Sequence, residues 1–271
     1  MSGFSPEWLA LREPADHSAI NGMVRTACAR AFHGRELIRI VDLGCGTGSN
    51  LRALAPALAP RQHWTLVDYD QHLLEVARSR VPEAIAGCAA DIDVTFRQAD
   101  LARGELTPLI AGADIVTASA LFDLVSVAVI DKLAAAVAAE RCAFYTVLTY
   151  DGIAAFLPEH PADAAMRDAF NRHQRSDKGF GPAAGPAATD ALADAFLRHG
   201  YTIRRGRSPW VLDGASAQLR RELEQGWAAA VRETGSVADA TINDWLHHRS
   251  TAPGAVTIVG HEDILALPPL G

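Results

Sequence analysis

The sequence contains few cysteines, and they follow no recognisable pattern. Its four, Cys28, Cys45, Cys88 and Cys142, are widely separated, and no two form a Cys-x-x-Cys pair. Such pairs are typical of zinc sites, and closely spaced sets of cysteines are typical of small secreted domains held by disulfides. We therefore expect neither a metal site nor a disulfide framework.

Runs of basic residues and long apolar runs are also missing. The formal net charge is −7, and no cluster of Lys or Arg suggests a surface that would neutralise nucleic-acid phosphates. No apolar run is long enough to cross a membrane, and the acidic residues Glu7, Glu13 and Asp16 do not fit a signal peptide. These features argue against a membrane protein and against a nucleic-acid substrate, and they favour a cytoplasmic location.

The most informative stretch of the chain runs from Ile38 to Asn50. A β-branched apolar segment turns into three glycines, Gly44, Gly46 and Gly48, and a helical pattern follows from about residue 49 to 58. Glycines let a ligand approach the backbone closely, and a helix N-terminus offers unpaired N–H groups. The dinucleotide-binding fingerprint would need a further glycine where Ser49 stands, so a different nucleotide-type ligand is indicated.

The elements around this stretch alternate between strand and helix up to about residue 149. Strands are predicted at 38–43, 63–67, 94–98, 113–119 and 142–149, with helices at 71–80 and 126–140. This alternation is typical of a doubly wound α/β sheet. The remaining predicted elements are helices at 161–174, 189–199, 215–234 and 237–248, strands at 201–205, 210–212 and 255–260, and a Gly/Pro-rich loop at 177–186.

Three residues define the predicted helix ends. Pro14 is expected to interrupt the helical leader that spans residues 6–32, Pro82 to lie beyond the helix at 71–80, and Thr189 to cap the helix that it begins. In the leader, Arg12, His17 and Arg25 are candidates for binding a carboxylate, but solvated helix charges are the favoured interpretation.

With Asp42 two residues before Gly44, the glycine pattern resembles motif I of the class I S-adenosylmethionine (SAM) methyltransferases, an acidic residue, one residue, then Gly-x-Gly-x-Gly. The resemblance implies a Rossmann-like, doubly wound seven-stranded sheet, mostly parallel with an antiparallel last strand, and SAM as cofactor. It covers 38–149 by motif and the remainder by element order only. It further implies one domain over 1–271, with a helical leader (1–36) and two insertions (151–188 and 213–252) that cover the substrate site.

The resemblance assigns a set of cofactor contacts at the strand ends. Asp68 would accept hydrogen bonds from the ribose hydroxyls, and Asp100 would bind the adenine amino group beside the Leu101 backbone. Each acid taken singly is equally well explained as a turn or helix-cap residue. The predicted cofactor-binding residues are Asp42, Gly44, Cys45, Gly46, Gly48, Asp68, Tyr69, Asp100, Leu101 and Ser119.

The acceptor side of the site is less clearly marked. Phe122, Asp123 and Lys178 are predicted to bind substrate, and Tyr150, Asp151 and His173 are candidate catalytic residues. In the alternative interpretation Phe122 is a core residue, Asp123 a helix cap, and the segment around His173 and Lys178 a solvated helix end followed by a flexible lid. Trp210 and Trp227 are predicted to be core residues, although they could also form apolar walls under the second insertion.

The predicted function is transfer of a methyl group from SAM to a small-molecule acceptor by in-line displacement. An acidic chain without a separate recognition domain favours a small acceptor. Two alternatives stay open: methylation of RNA or protein, and a non-catalytic SAM-binding protein. A nicotinamide-dependent oxidoreductase is the main rival from another class, but no constellation for hydride transfer is visible in the sequence.

Overall fold

A mixed β-sheet forms the centre of the protein. The computed structural model describes residues 4–269; Met1–Gly3 of the predicted leader and Leu270–Gly271 lie outside the described residues. Within 4–269, eight strands belong to this sheet. They are β1 (Leu37–Leu43), β2 (Arg61–Asp68), β3 (Asp91–Gln98), β4 (Ile115–Ser119), β5 (Ala143–Leu157), β6 (Thr202–Arg207), β7 (Trp210–Leu212) and β8 (Val256–Leu267).

The strand order confirms the predicted fold class. Along the sheet the order is β3-β2-β1-β4-β5-β8-β6, and β7 pairs with β8 beside this path. The strands β1 to β5 are parallel to one another, whereas β8 is antiparallel to β5, β6 and β7. The seven strands of the main path match the expected seven-stranded sheet, and the three-residue β7, predicted at 210–212, pairs beside them as an eighth strand.

Helices cover both faces of the sheet. On β1, Ile40 packs into one apolar cluster and Val41 into the other, which explains why this strand is apolar at consecutive positions. No helix of residues 4–269 is long and apolar enough to cross a membrane. The helices are α1 (Pro6–Ala19), α2 (Gly22–Ala31), α3 (Ser49–Leu54), α4 (Gln71–Ile85), α5 (Thr107–Ile110), α6 (Val127–Glu140), α7 (Asp163–Gln174), α8 (Ala188–Arg198), α9 (Ala217–Thr234) and α10 (Asp239–Thr251).

Three predicted helix boundaries are wrong. α1 continues through Pro14, and the leader breaks instead at Asn21, whose side chain caps α2. α4 likewise continues through Pro82. Thr189 lies inside α8 rather than at its N-cap, and its buried hydroxyl has no hydrogen-bond partner among the described residues. A proline inside a helix removes one backbone hydrogen bond, and tertiary packing compensates for that loss here.

The strands β5 and β8 are both longer than predicted. β5 continues eight residues past Thr149, so the predicted insertion at 151–188 begins within a strand. The pairing with β8 shifts register between Tyr150 and Ala154, where Asp151 Oδ1 accepts a hydrogen bond from the Ile153 N–H at 2.8 Å. The residues at this register shift resemble a turn in sequence. The strand nevertheless continues beyond them, and Phe156 is buried.

Candidate active site

The glycine segment forms a tight turn between β1 and α3. Gly44, Gly46 and Gly48 all have positive φ, at 63°, 53° and 82°. The turn is attached to β2 by a hydrogen bond from the Cys45 N–H to the Val67 carbonyl at 3.0 Å. A Cβ on Gly46 would lie 3.1 Å from Leu9 of α1. The leader therefore packs directly on the turn, and the turn depends on residues without side chains.

Asp68 joins the glycine turn to the end of β2. Its Oδ2 accepts a hydrogen bond from the Gly46 N–H at 2.8 Å, and its Oδ1 accepts one from the Asp70 N–H at 3.0 Å. Burial raises the pKa of Asp68, and these backbone hydrogen bonds oppose the rise. A carboxylate has about four lone-pair sites, so Asp68 can still accept hydrogen bonds from a ligand.

Behind the turn lies a buried polar cluster centred on Asn50. Its Nδ2 donates to Asp42 Oδ1 at 2.7 Å and to Thr117 Oγ1 at 3.0 Å. Burial raises the pKa of Asp42 to about 7. Among the described residues, Asn50 Oδ1 and Thr47 Oγ1 are buried without a hydrogen-bond partner, although both side chains belong to residues that line a cleft. Buried polar atoms normally have partners, so a ligand in the cleft would complete these two.

The cleft lies at the carboxyl ends of the parallel strands and has a volume of about 1070 Å³. Ligands in open α/β sheets bind at this edge. The volume is at the upper end of the roughly 300–1,000 Å³ usual for ligand pockets, which leaves room for two small molecules. Of the predicted site residues, those lining it are Gly44, Cys45, Gly46, Asp68, Tyr69, Asp100, Leu101, Ser119 and Lys178.

Seven predicted site residues do not line this cleft. Asp42 accepts a hydrogen bond from Asn50 behind the turn, and Gly48 ends the turn as the N-cap residue of α3. Phe122 is a core residue that packs edge-to-face on Phe144. Tyr150 donates its hydroxyl to Asn171 Oδ1 at 2.7 Å. The others are Asp123, Asp151 and His173.

Asp123 is buried directly beside the cleft. It lies in the turn after β4, between the lining residues Leu121 and Leu124. Burial raises its pKa to about 6, and the positive charges of Arg12 and Lys178 limit the rise. Ser126, rather than Asp123, caps α6. The carboxyl group therefore contributes negative charge close to the cleft.

The leader contributes residues that sequence reasoning treated as solvated. Arg12 lines the cleft, forms a two-point ion pair with Asp16 at 2.8 and 3.1 Å, and lies 4.9 Å from the ring centre of Trp210. His17 Nε2 lies 2.9 Å from Ser49 Oγ. These contacts join residues far apart in the chain, so helical periodicity alone could not reveal them.

Aromatic residues form a second group in the lining, called the aromatic half of the cleft below, and sequence reasoning identified little of it. Trp8 comes from the leader, Phe170 from α7, Phe180 from the loop after α7, and Trp227 from α9. Phe170 and Trp227 stack with ring centres 4.0 Å apart and planes at 9°. The only sequence signal was the alternative interpretation of Trp227 as part of an apolar wall; the other three had none.

Comparison with known proteins identifies a methyltransferase-like domain in the chain. Residues 40–140 match a family model described as a methyltransferase domain. No curated protein sequence matches the chain.

Several solved structures have similar folds. A cyclopropane-fatty-acyl-phospholipid synthase-like protein from Lactobacillus casei is 17% identical, with 98% of this chain and 95% of that one covered and a TM-score of 0.56. The YcgJ protein from Bacillus subtilis is 15% identical, with 93% and 100% covered and a TM-score of 0.53. A SAM-dependent methyltransferase from Geobacter sulfurreducens, solved with S-adenosyl-L-homocysteine, is 15% identical, with 98% and 99% covered and a TM-score of 0.46. At these identities the Lactobacillus and Bacillus structures show the fold alone.

Strand order, the antiparallel final strand and the glycine turn together define an α/β methyltransferase fold. The matched methyltransferase domain at residues 40–140 agrees with this fold, so the chain is similar to the class I SAM-dependent methyltransferases, whose cofactor is SAM.

Proposed function

We propose that this protein transfers a methyl group from SAM to a small-molecule acceptor by in-line displacement. The observation that carries the proposal is the division of one cleft into a polar half at the glycine turn and an aromatic half beneath α1, α7 and α9. The first half suits a nucleoside with charged groups. The second suits a small, largely apolar acceptor held next to it.

The polar half fits the cofactor on the chemistry of its residues. Gly44 and Gly46 allow close approach of a ligand to the backbone, and Thr47 and Asn50 hold polar atoms that lack partners. Asp68 has acceptor capacity for two hydroxyl groups on one sugar. We propose that these residues, with Asp100 and Leu101 at the end of β3, bind SAM.

The aromatic half supports a small acceptor. Its residues come from three parts of the chain outside the central α/β unit, namely the leader (1–36) and the insertions at 151–188 and 213–252. We propose that these segments belong to a single domain and cover the acceptor. Because the cofactor would occupy much of a cleft of about 1070 Å³, the remaining volume suits a molecule of modest size.

Bound SAM supplies an activated methyl group on a sulfonium centre. The chain's own contribution is then to align the acceptor atom opposite the leaving sulfur, to exclude water, and to remove a proton where the nucleophile carries one. Positioning of this kind suits a cleft with rigid aromatic walls.

Titration calorimetry tests the cofactor assignment. We expect SAM and S-adenosylhomocysteine to bind and NAD not to bind. Asp68→Asn should weaken SAM binding, whereas Asp93→Asn, at an exposed acid on β3, should leave it unchanged. Binding of NAD in place of SAM would exclude the proposal.

Isotope-labelled SAM tests the acceptor class. The purified protein is incubated with a metabolite extract, with RNA and with a protein fraction from the same cells, and the label is located by mass spectrometry. We expect it in small molecules. Label confined to RNA or protein would favour the macromolecular alternative, and SAM binding without transfer would favour a non-catalytic role.

A further inference from the structure

The chain has 25 basic residues, but only two are lysines, Lys132 and Lys178. Lys132 lies exposed on α6, whereas Lys178 is half-buried and lines the cleft. An arginine cannot lose its proton in a protein near neutral pH, but a lysine can when its surroundings favour the neutral amine. Lys178 is therefore the one lysine of the chain placed to exchange a proton within the cleft.

Lys178 is the last member of a hydrogen-bonded chain that leads into the cleft. Glu233 Oε2 of α9 lies 2.9 Å from His173 Nε2, and His173 Nδ1 lies 3.2 Å from Lys178 Nζ. The carboxylate fixes the proton of the imidazole on Nε2, which leaves Nδ1 as an acceptor for an N–H of Lys178. The lone pair of a neutral Lys178 amine would then point away from His173.

The surroundings of Lys178 combine burial with negative charge. Burial lowers the pKa of Lys178, and the charges of Glu233 and Asp123 limit the decrease. Asp177 is engaged with the N–H groups of Gly179 and Gly181. His173 contacts Lys178 directly, and the other titratable or charged groups that line the cleft are Arg12, Asp16, Cys45, Asp68, Tyr69, Asp100 and Glu222.

The residues next to Lys178 favour a flat acceptor. Phe180 lies two residues further along the same loop, and the stacked pair of Phe170 and Trp227 lines the same cleft. A rigid aromatic wall binds planar rings well, because such rings gain contact area with little loss of conformational entropy. The loop itself is held near the end of β4 by a hydrogen bond from the Ala184 N–H to the Val125 carbonyl at 2.8 Å.

We propose that Lys178 is the general base of this site, positioned by His173 and Glu233, and that the acceptor is an aromatic compound whose nucleophilic oxygen, nitrogen or sulfur carries a proton. The inference rests on the proposed function. It also reassigns two predicted roles, since Lys178 becomes the catalytic residue and His173 a positioning residue.

The proton and electron balance of the step is complete. The lone pair of the acceptor atom forms the new bond to the methyl carbon, and the carbon–sulfur bond breaks with its electron pair going to sulfur. The acceptor's proton passes to the neutral amine of Lys178, which becomes an ammonium and later releases the proton to water. No oxidant or reductant is needed.

Competitive acetylation tests the ionisation of Lys178 without any acceptor. The whole protein, with S-adenosylhomocysteine added, is treated with trace acetic anhydride across a range of pH, and Lys178 and Lys132 are quantified by peptide mass spectrometry. We expect Lys178 to become reactive at lower pH than Lys132. If acetylation of the two lysines had the same midpoint pH, the proposal would be overturned.

Two carboxylate variants test whether Glu233 acts on Lys178. Because its negative charge favours the ammonium form, Glu233→Gln should move the Lys178 midpoint to lower pH. Asp244→Asn is the matched control, since Asp244 is a similarly exposed carboxylate paired with His160 at 3.2 Å elsewhere on the surface. A Lys178 midpoint that is unchanged in Glu233→Gln, or moved equally by both variants, would contradict the positioning role.

Turnover tests the base and the acceptor class together. A panel of phenols, aromatic amines and thiophenols is incubated with labelled SAM, beside their fully methylated counterparts. We expect transfer only to members that carry a proton, and a loss of roughly 10²–10⁴-fold in kcat for both Lys178→Arg and Lys178→Met, with SAM binding retained. Activity retained in Lys178→Arg would show that charge alone suffices.

Failure of the two proposals is distinguishable in the same experiment. A wild-type protein that binds SAM but methylates no member of the panel would overturn the acceptor class. A protein that does not bind SAM would instead overturn the proposed function.

Discussion

Glu13 and Arg52 form a two-point ion pair that joins the leader to the helix after the glycine turn. Arg52 Nε lies 2.6 Å from Glu13 Oε1, and Arg52 Nη2 lies 2.6 Å from Glu13 Oε2. The third donor, Nη1, reaches the Thr47 carbonyl at 2.8 Å. Both side chains are largely buried, so the pair is much less screened than a surface salt bridge. α1 is thereby held against the turn at the polar half of the cleft.

We expect Glu13→Gln to weaken SAM binding. The variant removes the charge while keeping the shape, so the guanidinium of Arg52 loses its ionic partner and α1 is held less firmly. The loss of such a charged hydrogen-bonded pair costs about 1–3 kcal/mol, which corresponds to roughly 5- to 150-fold in Kd if it is expressed entirely in binding.

Calorimetry of SAM binding checks this expectation. Glu75→Gln is the matched control, because Glu75 is exposed on α4 and its recorded side-chain contact is with Gln71. Unchanged affinity in Glu13→Gln would mean that the leader is positioned by its other contacts, such as Asp16 with Trp210 at 3.1 Å.

Gly48→Ala should destabilise the fold more than Gly112→Ala. Both glycines have strongly positive φ, 82° and 71°, which costs a residue with a Cβ about 1–2 kcal/mol. At Gly48 the new Cβ would also lie 2.9 Å from Val81 Cγ2 in the core, whereas at Gly112 it would meet open space. The difference between the two variants in urea unfolding therefore measures the clash, expected at about 1–3 kcal/mol. Equal losses would show that α4 moves aside at little cost.

The parts of the fold that sequence reasoning predicted correctly depend on local patterns. The β-branched run before Gly44 and the helical spacing after Asp70 determine their elements within a few residues of chain. The extension of β5 past Thr149 escaped prediction because outward-facing Ile153 and Leu157 are as apolar as the buried Phe156. Without polar alternation, a strand has no visible period.

The same distinction between locally determined and long-range features applies to the residues of the candidate site. The residues at the strand ends, such as Asp68 and Asp100, come to the cleft because parallel strands share one edge. The contributions of Trp8 and Arg12 depend instead on where α1 docks. That docking is set by pairs such as Asp16 with Trp210, which are 194 residues apart in the chain. No single-sequence pattern encodes a contact of that kind.

Asp42→Asn should stabilise the protein at neutral and higher pH. Burial raises the pKa of Asp42 to about 7, well above the value near 3.9 expected in the unfolded chain. Between these values the folded state binds the extra proton, so the stability from Asp42 is fully present below about pH 4 and is lost as the pH rises through 7. Asparagine is neutral throughout and can still accept the hydrogen bond from Asn50.

Urea unfolding at several pH values from 4 to 8 checks the sign. We expect the free energy of unfolding of Asp42→Asn to exceed that of the wild type by an amount that grows with pH. The difference should reach on the order of 2–4 kcal/mol at pH 8. Glu75→Gln, at an exposed acid on α4 whose recorded side-chain contact is with Gln71, should show no such growth. A difference that is constant with pH would indicate that Asp42 is ionised in the fold at all these values.

Tyr150→Phe should cost stability and leave methyl transfer nearly unchanged. The Tyr150 hydroxyl is 2.7 Å from Asn171 Oδ1, and Asn171 Nδ2 donates to the Gly152 carbonyl at 2.9 Å, so the hydroxyl serves to join α7 to β5. Its loss should lower the free energy of unfolding by about 1 kcal/mol. Tyr201→Phe, which removes a buried hydroxyl far from the cleft, is the control for stability alone. If Tyr150 were instead catalytic, as the sequence allowed, Tyr150→Phe would lower kcat by roughly 10²-fold or more, and Tyr201→Phe would not.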